Sequence, residues 1–226
     1  MSSVKKSASL RSRKKPTVSR PKKRDEAKAW FRAKLIDAAV RGIARHGFSG
    51  LSVSRLVEYS GLSRGMVNLH FKRKQELLLQ VLKHLADLYR TGWQAAVERA
   101  GEDPARRLTA LIEYDVTRDG HSSDIMTAWL AFRQEAITNP IYRPYCDTRE
   151  AAYFGALKSL CAALIKEGGY KLKPETAALG ITYLLEGLWL DWALDTARYD
   201  NKTGRDVCYA HLGAVFPKHF GKDARG

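Results

Sequence analysis

The stretch from Leu51 to Lys74 constrains this chain more than any other part of it. Two short apolar-periodic runs flank Gly61, and a third begins directly after Phe71. Ser52 and Ser63 stand where a helix N-cap belongs, since a serine oxygen accepts a free N–H from a helix's first turn. Gly61 suits the positive φ that a sharp helix-to-helix turn needs. Leu56, Val57, Leu62 and Val67 supply the apolar contacts that hold two such helices against each other. Two small helices crossing steeply through a turn form a helix-turn-helix, whose second helix lies in the DNA major groove. The pattern implies a DNA-binding regulator.

A recognition helix presents its N-terminal residues to base edges, here Ser63, Arg64, Met66 and Val67, with Asn68 following. Arginine makes paired hydrogen bonds to guanine, asparagine does so to adenine, and Met66 and Val67 offer apolar contact to a thymine methyl. Val67 suits core packing equally well. Ser52, Ser54, His70 and Lys74 are better placed for phosphate oxygens, which fix register rather than sequence.

Charge points the same way. Residues 1–28 carry eleven Lys or Arg against Asp25 and Glu26, a net of +9 within the chain's +15. A segment this basic, rich in Ser and Pro and poor in apolar residues, is expected to be disordered over 1–24 and attracted to phosphate. A merely solubilising arm fits that composition as well. No run approaches the roughly 20 apolar residues of a membrane span, and the N-terminus lacks an apolar signal region. With the helix-turn-helix beside it, the basic segment predicts a bacterial cytoplasmic, nucleoid-associated protein. Cys146, Cys161 and Cys208 are widely spaced, and the six histidines form no H-x-x-x-H pair. Buried structural thiols, no metal and no cofactor are expected.

Helical periodicity runs through the whole chain. It predicts helices over about 25–46, 53–59, 63–70, 74–99, 104–118, 124–137, 142–167, 174–196 and 204–216, with no strand-like alternation. The fold class is therefore all α: about nine helices, divided into a DNA-binding domain over 25–73 and a helical effector-binding and dimerisation domain over 74–220.

The second part is apolar and aromatic, with Trp129, Trp189 and Trp192 inside helical patterns. Glu135, Glu186 and Asp191 stand among them. Glu186, Trp189, Leu190 and Ala193 share one spacing-defined face, as do Ile125, Trp129 and Phe132. Aromatic faces edged by carboxylate suit a cation. An apolar core whose acids pair with Arg133 or Arg149 fits the same residues.

Residues 30–82 resemble the N-terminal domain of TetR-type repressors. The resemblance rests on Arg45-His46-Gly47-Phe48, on Ser60-Gly61-Leu62-Ser63, and on the junction Phe71-Lys72-Arg73-Lys74-Gln75-Glu76-Leu77-Leu78. Asn68 departs from it, standing where the family commonly has a phosphate-touching tyrosine. Met126 to Phe132 and Leu184 to Leu190 look like motifs of betaine-synthesis repressors, the BetI type within that family. That resemblance implies repression of choline-to-glycine-betaine genes, relieved by choline or a related quaternary ammonium at Trp129, Phe132, Glu135, Glu186, Trp189 and Trp192. It also implies a homodimer on a palindromic operator, joined through the last two long helices. Asp191-Trp192 and the long basic extension depart from the group, which leaves a different small molecule as the alternative effector. An enzyme with a DNA-binding tail is the other alternative. The chain has no G-x-S-x-G, P-loop or dinucleotide glycine pattern and no catalytic residues we can name.

Overall fold

Caps and breakers in the sequence set where each helix starts and stops in the computed structural model, which describes residues 24–71, 73–117, 123–194 and 200–221, side chains of 147–150 excepted. Helix α1 (Arg24–Gly50) is regular until Gly47, whose φ of 66° and ψ of 179° break it and turn Phe48 back over the core. Only glycine adopts that backbone region without strain. Helices α2 (Val53–Ser60) and α3 (Arg64–His70) follow. Ser52 Oγ accepts from the Arg55 N–H and Ser63 Oγ from the Met66 N–H, both at 3.3 Å. Gly61 between them is left-handed, at φ 66° and ψ 17°, and its N–H closes α2 on the Val57 carbonyl at 2.9 Å.

Helix α4 (Lys74–Arg99) buries Leu77, Leu78, Val81 and Leu82 near its start and Tyr89 and Trp93 further along. At 26 residues and 1.5 Å per residue it extends roughly 40 Å, running from the reading head into the body. The body continues with α5 (Pro104–Val116), α6 (Ser123–Thr138), α7 (Arg143–Gly168), α8 (Pro174–Leu194), α9 (Asn201–Val215) and α10 (Pro217–Phe220). All elements among the described residues are helical, and one continuous apolar cluster joins head to body.

Two details depart from the sequence expectation. The helix expected from about 204 begins at Asn201 in α9, because Asp200 caps it by accepting from the Thr203 N–H at 2.5 Å. The Asn201 side chain then donates to the Thr117 carbonyl at 3.0 Å, tying α9 to the end of α5. Pro217 also opens a tenth, four-residue helix, folded back so that Phe216 and Phe220 are buried. The basic segment over 1–23 lies outside the described residues. Cys146, Cys161 and Cys208 are buried and free, and burial pushes the Cys161 and Cys208 thiols up to about 12. Among the described residues no helix is long and apolar enough to cross a membrane.

Helix α6 makes the most extensive contact with α1. Phe132, fully buried, meets the Phe48 ring edge-on at 4.7 Å and the Tyr142 ring at 5.7 Å. The Phe48 carbonyl accepts from Lys74 Nζ at 2.7 Å. One turn of chain thus joins α1, α6 and the start of α4.

Candidate DNA-reading face and effector cavity

The capped turn presents a polar surface along α2 and α3. Ser52, Ser54, Ser63, Arg64 and Asn68 are exposed, and Met66 and His70 are half-buried. Arg64 donates to Ser54 Oγ at 3.2 Å, which links the two helices and steadies the guanidinium. Val67 is only 2 % exposed and packs in the core, so it is not available to a thymine methyl. The reason is its position on α3, one residue from both Met66 and Asn68 but turned toward α1 and α2. Lys74 is exposed, yet its ammonium already donates to the Phe48 carbonyl.

His70 stacks against Phe31, with ring centroids 5.4 Å apart. Burial, then the positive charges of Arg32 and Lys28, hold its pKa below the ordinary histidine value. Leu69 is a residue the sequence reading passed over. A leucine in an apolar-periodic run signals core, but this one stands 72 % exposed on the recognition helix. Only the register of α3 reveals it.

In the body a cavity of about 460 Å³ opens among α4, α5, α6, α7 and α8. Asp115 lies in its wall, 5 % exposed. It accepts hydrogen bonds from Tyr89 at 2.8 Å and from Tyr153. Burial first, then the Asp115 carboxylate, pushes the Tyr153 pKa well above the usual phenol value, so this phenol stays protonated and donating. Trp189 meets Tyr89 edge-on at 5.6 Å, and Trp93 meets Tyr153 the same way at 5.8 Å. Arg133 of α6 pairs with Glu186 of α8 across the cavity wall. A fixed carboxylate and aromatic rings lining one cavity offer the two attractions that an organic cation uses.

Of the residues singled out for a ligand, Glu186 and Trp189 line this cavity. Trp129 lines a narrow adjoining crevice of about 10 Å³ that shares Tyr89 and Trp189 as walls. Phe132, Glu135 and Trp192 are not among the lining residues. Phe132 packs toward Phe48, and Trp192 is buried in the core. Glu135 lies two residues from Arg133, about 200° around the helix at 100° per residue. Its charge acts instead on Tyr142, whose pKa is raised by burial and then by Glu135.

Tyr89, Asp115 and Tyr153 escaped the sequence reading. Each is an ordinary helical residue whose partners lie 26 or 38 positions away. The one available signal was an aspartate placed as the last polar residue of an otherwise buried helix face.

Helix α8 has a second, outward face. Tyr183, which also lines the rim of the cavity, is 68 % exposed, and Leu190 and Leu194 are 53 % and 78 % exposed, with Gly187 between them and open space above it. Leu190, which the i, i+4 spacing groups with Glu186 and Trp189, stays outside the cavity: it lies about 100° around the helix from Trp189, on the solvent side of Glu186. On α9, Val207, Ala210 and Ala214 are likewise exposed. Gly180 and Gly213 serve the interior instead, the first against the His211 ring and the second against the Phe220 carbonyl.

A helix-turn-helix head attached to a helical body with an aromatic, acid-walled cavity defines a transcriptional regulator with room for a small molecule. Two family models match: "Bacterial regulatory proteins, tetR family" over residues 35–81, and "BetI-type transcriptional repressor, C-terminal" over 104–217. The HTH-type transcriptional regulator BetI of Paraburkholderia phytofirmans is 31% identical over 190 residues, spanning 81% of this chain and 92% of that relative. Its namesake in Paraburkholderia xenovorans is 32% identical with the same coverage. A structure from Pseudomonas aeruginosa PAO1, described as a transcriptional regulator, has a TM-score of 0.72 at 26% identity, covering 88% of this chain and 94% of that one. A regulator from Saccharomonospora viridis, solved in complex with choline, shares the fold at a TM-score of 0.74 and 20% identity, over 81% and 96% of the two chains. This chain belongs to the TetR family of transcriptional regulators, with a C-terminal part of the BetI repressor type.

Proposed function

We propose that this protein is a homodimeric repressor of choline-to-glycine-betaine genes, released from a palindromic operator by a quaternary ammonium effector, choline or a close relative. The observation that carries this reading is the buried Asp115 carboxylate beside the rings of Tyr89, Tyr153 and Trp189 in a cavity of about 460 Å³. A quaternary ammonium cannot donate hydrogen bonds, so it is recognised by ring faces and a fixed negative charge. The fold shared with a choline-bound regulator supports the same ligand class.

Residues 25–73 form the reading head and 74–220 the effector and dimer body. Ser63, Arg64, Met66, Leu69 and Asn68 face base edges, while Ser52, Ser54, His70 and the remaining donors of Lys74 serve phosphates. Trp189 and Glu186 join Asp115 around the effector, with Trp129 behind them; Phe132, Glu135 and Trp192 lie outside the lining. The outer faces of α8 and α9 pair with their copies in a second chain. That pairing sets the two recognition helices about 34–36 Å apart, or a multiple of it. Effector and operator then compete through one conformational equilibrium.

The test is operator binding at fixed salt, using DNA adjacent to the protein's own gene, with and without choline. Release by choline but not by an unrelated primary amine is expected, with sedimentation giving a dimer. Specific binding that ignores choline would sink the effector assignment and leave the regulator.

A further inference from the structure

Three of the residues lining the cavity are charged: Asp115, Arg133 and Glu186. Asp115 is buried and held by two phenols. Glu186 is held by Arg133, with side chains 36% and 33% exposed. The cavity of a cation-binding body thus already contains a cation, supplied by the protein itself.

Resting on the cationic-effector reading above, we propose that Arg133 is an internal competitor for the effector. Its guanidinium occupies Glu186 in the ligand-free form, and an entering quaternary ammonium takes over that carboxylate.

The geometry makes this exchange practicable. Both partners are about one-third exposed, so a displaced guanidinium regains water, and an ion pair of this kind is weak. A fully buried pair would resist the exchange, because separating it strands charge out of water. The position of Arg133 gives the exchange a consequence. Its neighbour Phe132 lies against Phe48, at the joint where α1 ends and Lys74 begins α4. With the Arg133–Glu186 tie to α8 loosened, helix α6 can shift against α1, and through it the reading head. Arg133 is in this sense a positioning and affinity-setting residue.

The competition has a signature that a merely structural ion pair lacks. Arg133→Gln removes the competitor and Glu186→Gln removes what is competed for. The two substitutions must therefore move choline affinity in opposite directions. Loss of a purely structural bridge would move it in the same direction for both.

The experiment titrates full-length wild type, R133Q, R133K and E186Q with choline by calorimetry, and measures the choline concentration that half-releases operator DNA. Circular dichroism confirms that each variant is folded. R133Q is expected to bind choline up to about fivefold more tightly, the scale of one partly exposed pair, and to be released at correspondingly lower choline. E186Q is expected to bind several-fold more weakly, and R133K to stay near wild type. Should wild type respond to choline while R133Q binds it equally or more weakly, the competitor role is overturned and the effector reading stands. No response from wild type overturns the effector reading and the competitor role with it.

Discussion

In the reading head, the residues assigned to DNA lie between Ser52 and Lys74, and the caps and turn that orient them lie in the same stretch. In the body, the residues around the cavity run from Tyr89 to Trp189 and come from five helices. The head's geometry follows from local chemistry: a hydroxyl three residues before the N–H it accepts from, and a glycine with positive φ. The body's geometry follows from which helix packs on which. Local chemistry tolerates distant substitutions and fails at single capping or turning residues. A cavity of tertiary origin has the reverse vulnerability, since any helix that shifts takes part of the wall with it.

The sharpest way to break this contrast is at the joint between the two regions. Phe132→Ala empties a fully buried site between α6 and the Phe48 turn. Large-to-small changes of this kind cost about 3–5 kcal/mol. Urea unfolding followed by far-UV circular dichroism should show one shifted transition. Separate transitions, or a loss below about 1 kcal/mol, would mean that head and body are energetically independent.

A substitution confined to the body should leave the head alone. Asp115→Asn keeps the shape of the buried side chain but removes its charge. At an effective dielectric of about 20, opposite unit charges about 5 Å apart attract by about 3 kcal/mol, so choline affinity is expected to fall about tenfold or more. Operator affinity without ligand should hold near wild type, as read by fluorescence anisotropy. Unchanged choline affinity would move the cation's counter-charge away from Asp115.

The complementary change acts on the head. Ser63→Ala removes the oxygen that caps α3, a loss of about 1 kcal/mol. Operator binding should weaken several-fold while choline affinity stays where it was. A variant that reads its operator normally would show that DNA contact, not the cap, orders this helix.

The same contrast explains what could be read in the sequence. Ser52, Ser63 and Gly61 announce their roles because their partners lie three or four residues away. Helix spacing alone also located α4 through α8 closely. Spacing fails where a helix has two useful faces. On α8, Glu186 and Trp189 turn into the cavity while Leu190 turns out, and nothing local to that helix distinguishes them. On α6 the acidic residue Glu135 drew attention, whereas its basic neighbour Arg133 is the one that reaches the cavity. Asp115 is invisible until α4 and α7 bring Tyr89 and Tyr153 to it. Val67 and Leu69 invert the simplest rule: both are apolar on a seven-residue helix, and one is core while the other faces solvent.

The smallest effect expected is one of pH, and it tests whether the head's edge meets phosphate at all. In the free protein, burial and then Arg32 and Lys28 hold the His70 pKa below its ordinary value. An unfolded chain then takes up the proton more readily than the folded one. The stability tied to His70 is therefore present above the usual histidine pKa and is lost as pH falls through the lowered one. A phosphate beside the ring acts in the opposite sense, since a nearby negative charge favours the imidazolium. Binding DNA should then take up a proton, and operator affinity should rise by up to about threefold between about pH 7 and pH 5.5. The fold itself weakens slightly over the same interval. His70→Gln should flatten both trends. Should the variant keep the wild-type pH profile for operator binding, His70 is a packing residue against Phe31 and the phosphate track lies elsewhere on α2 and α3.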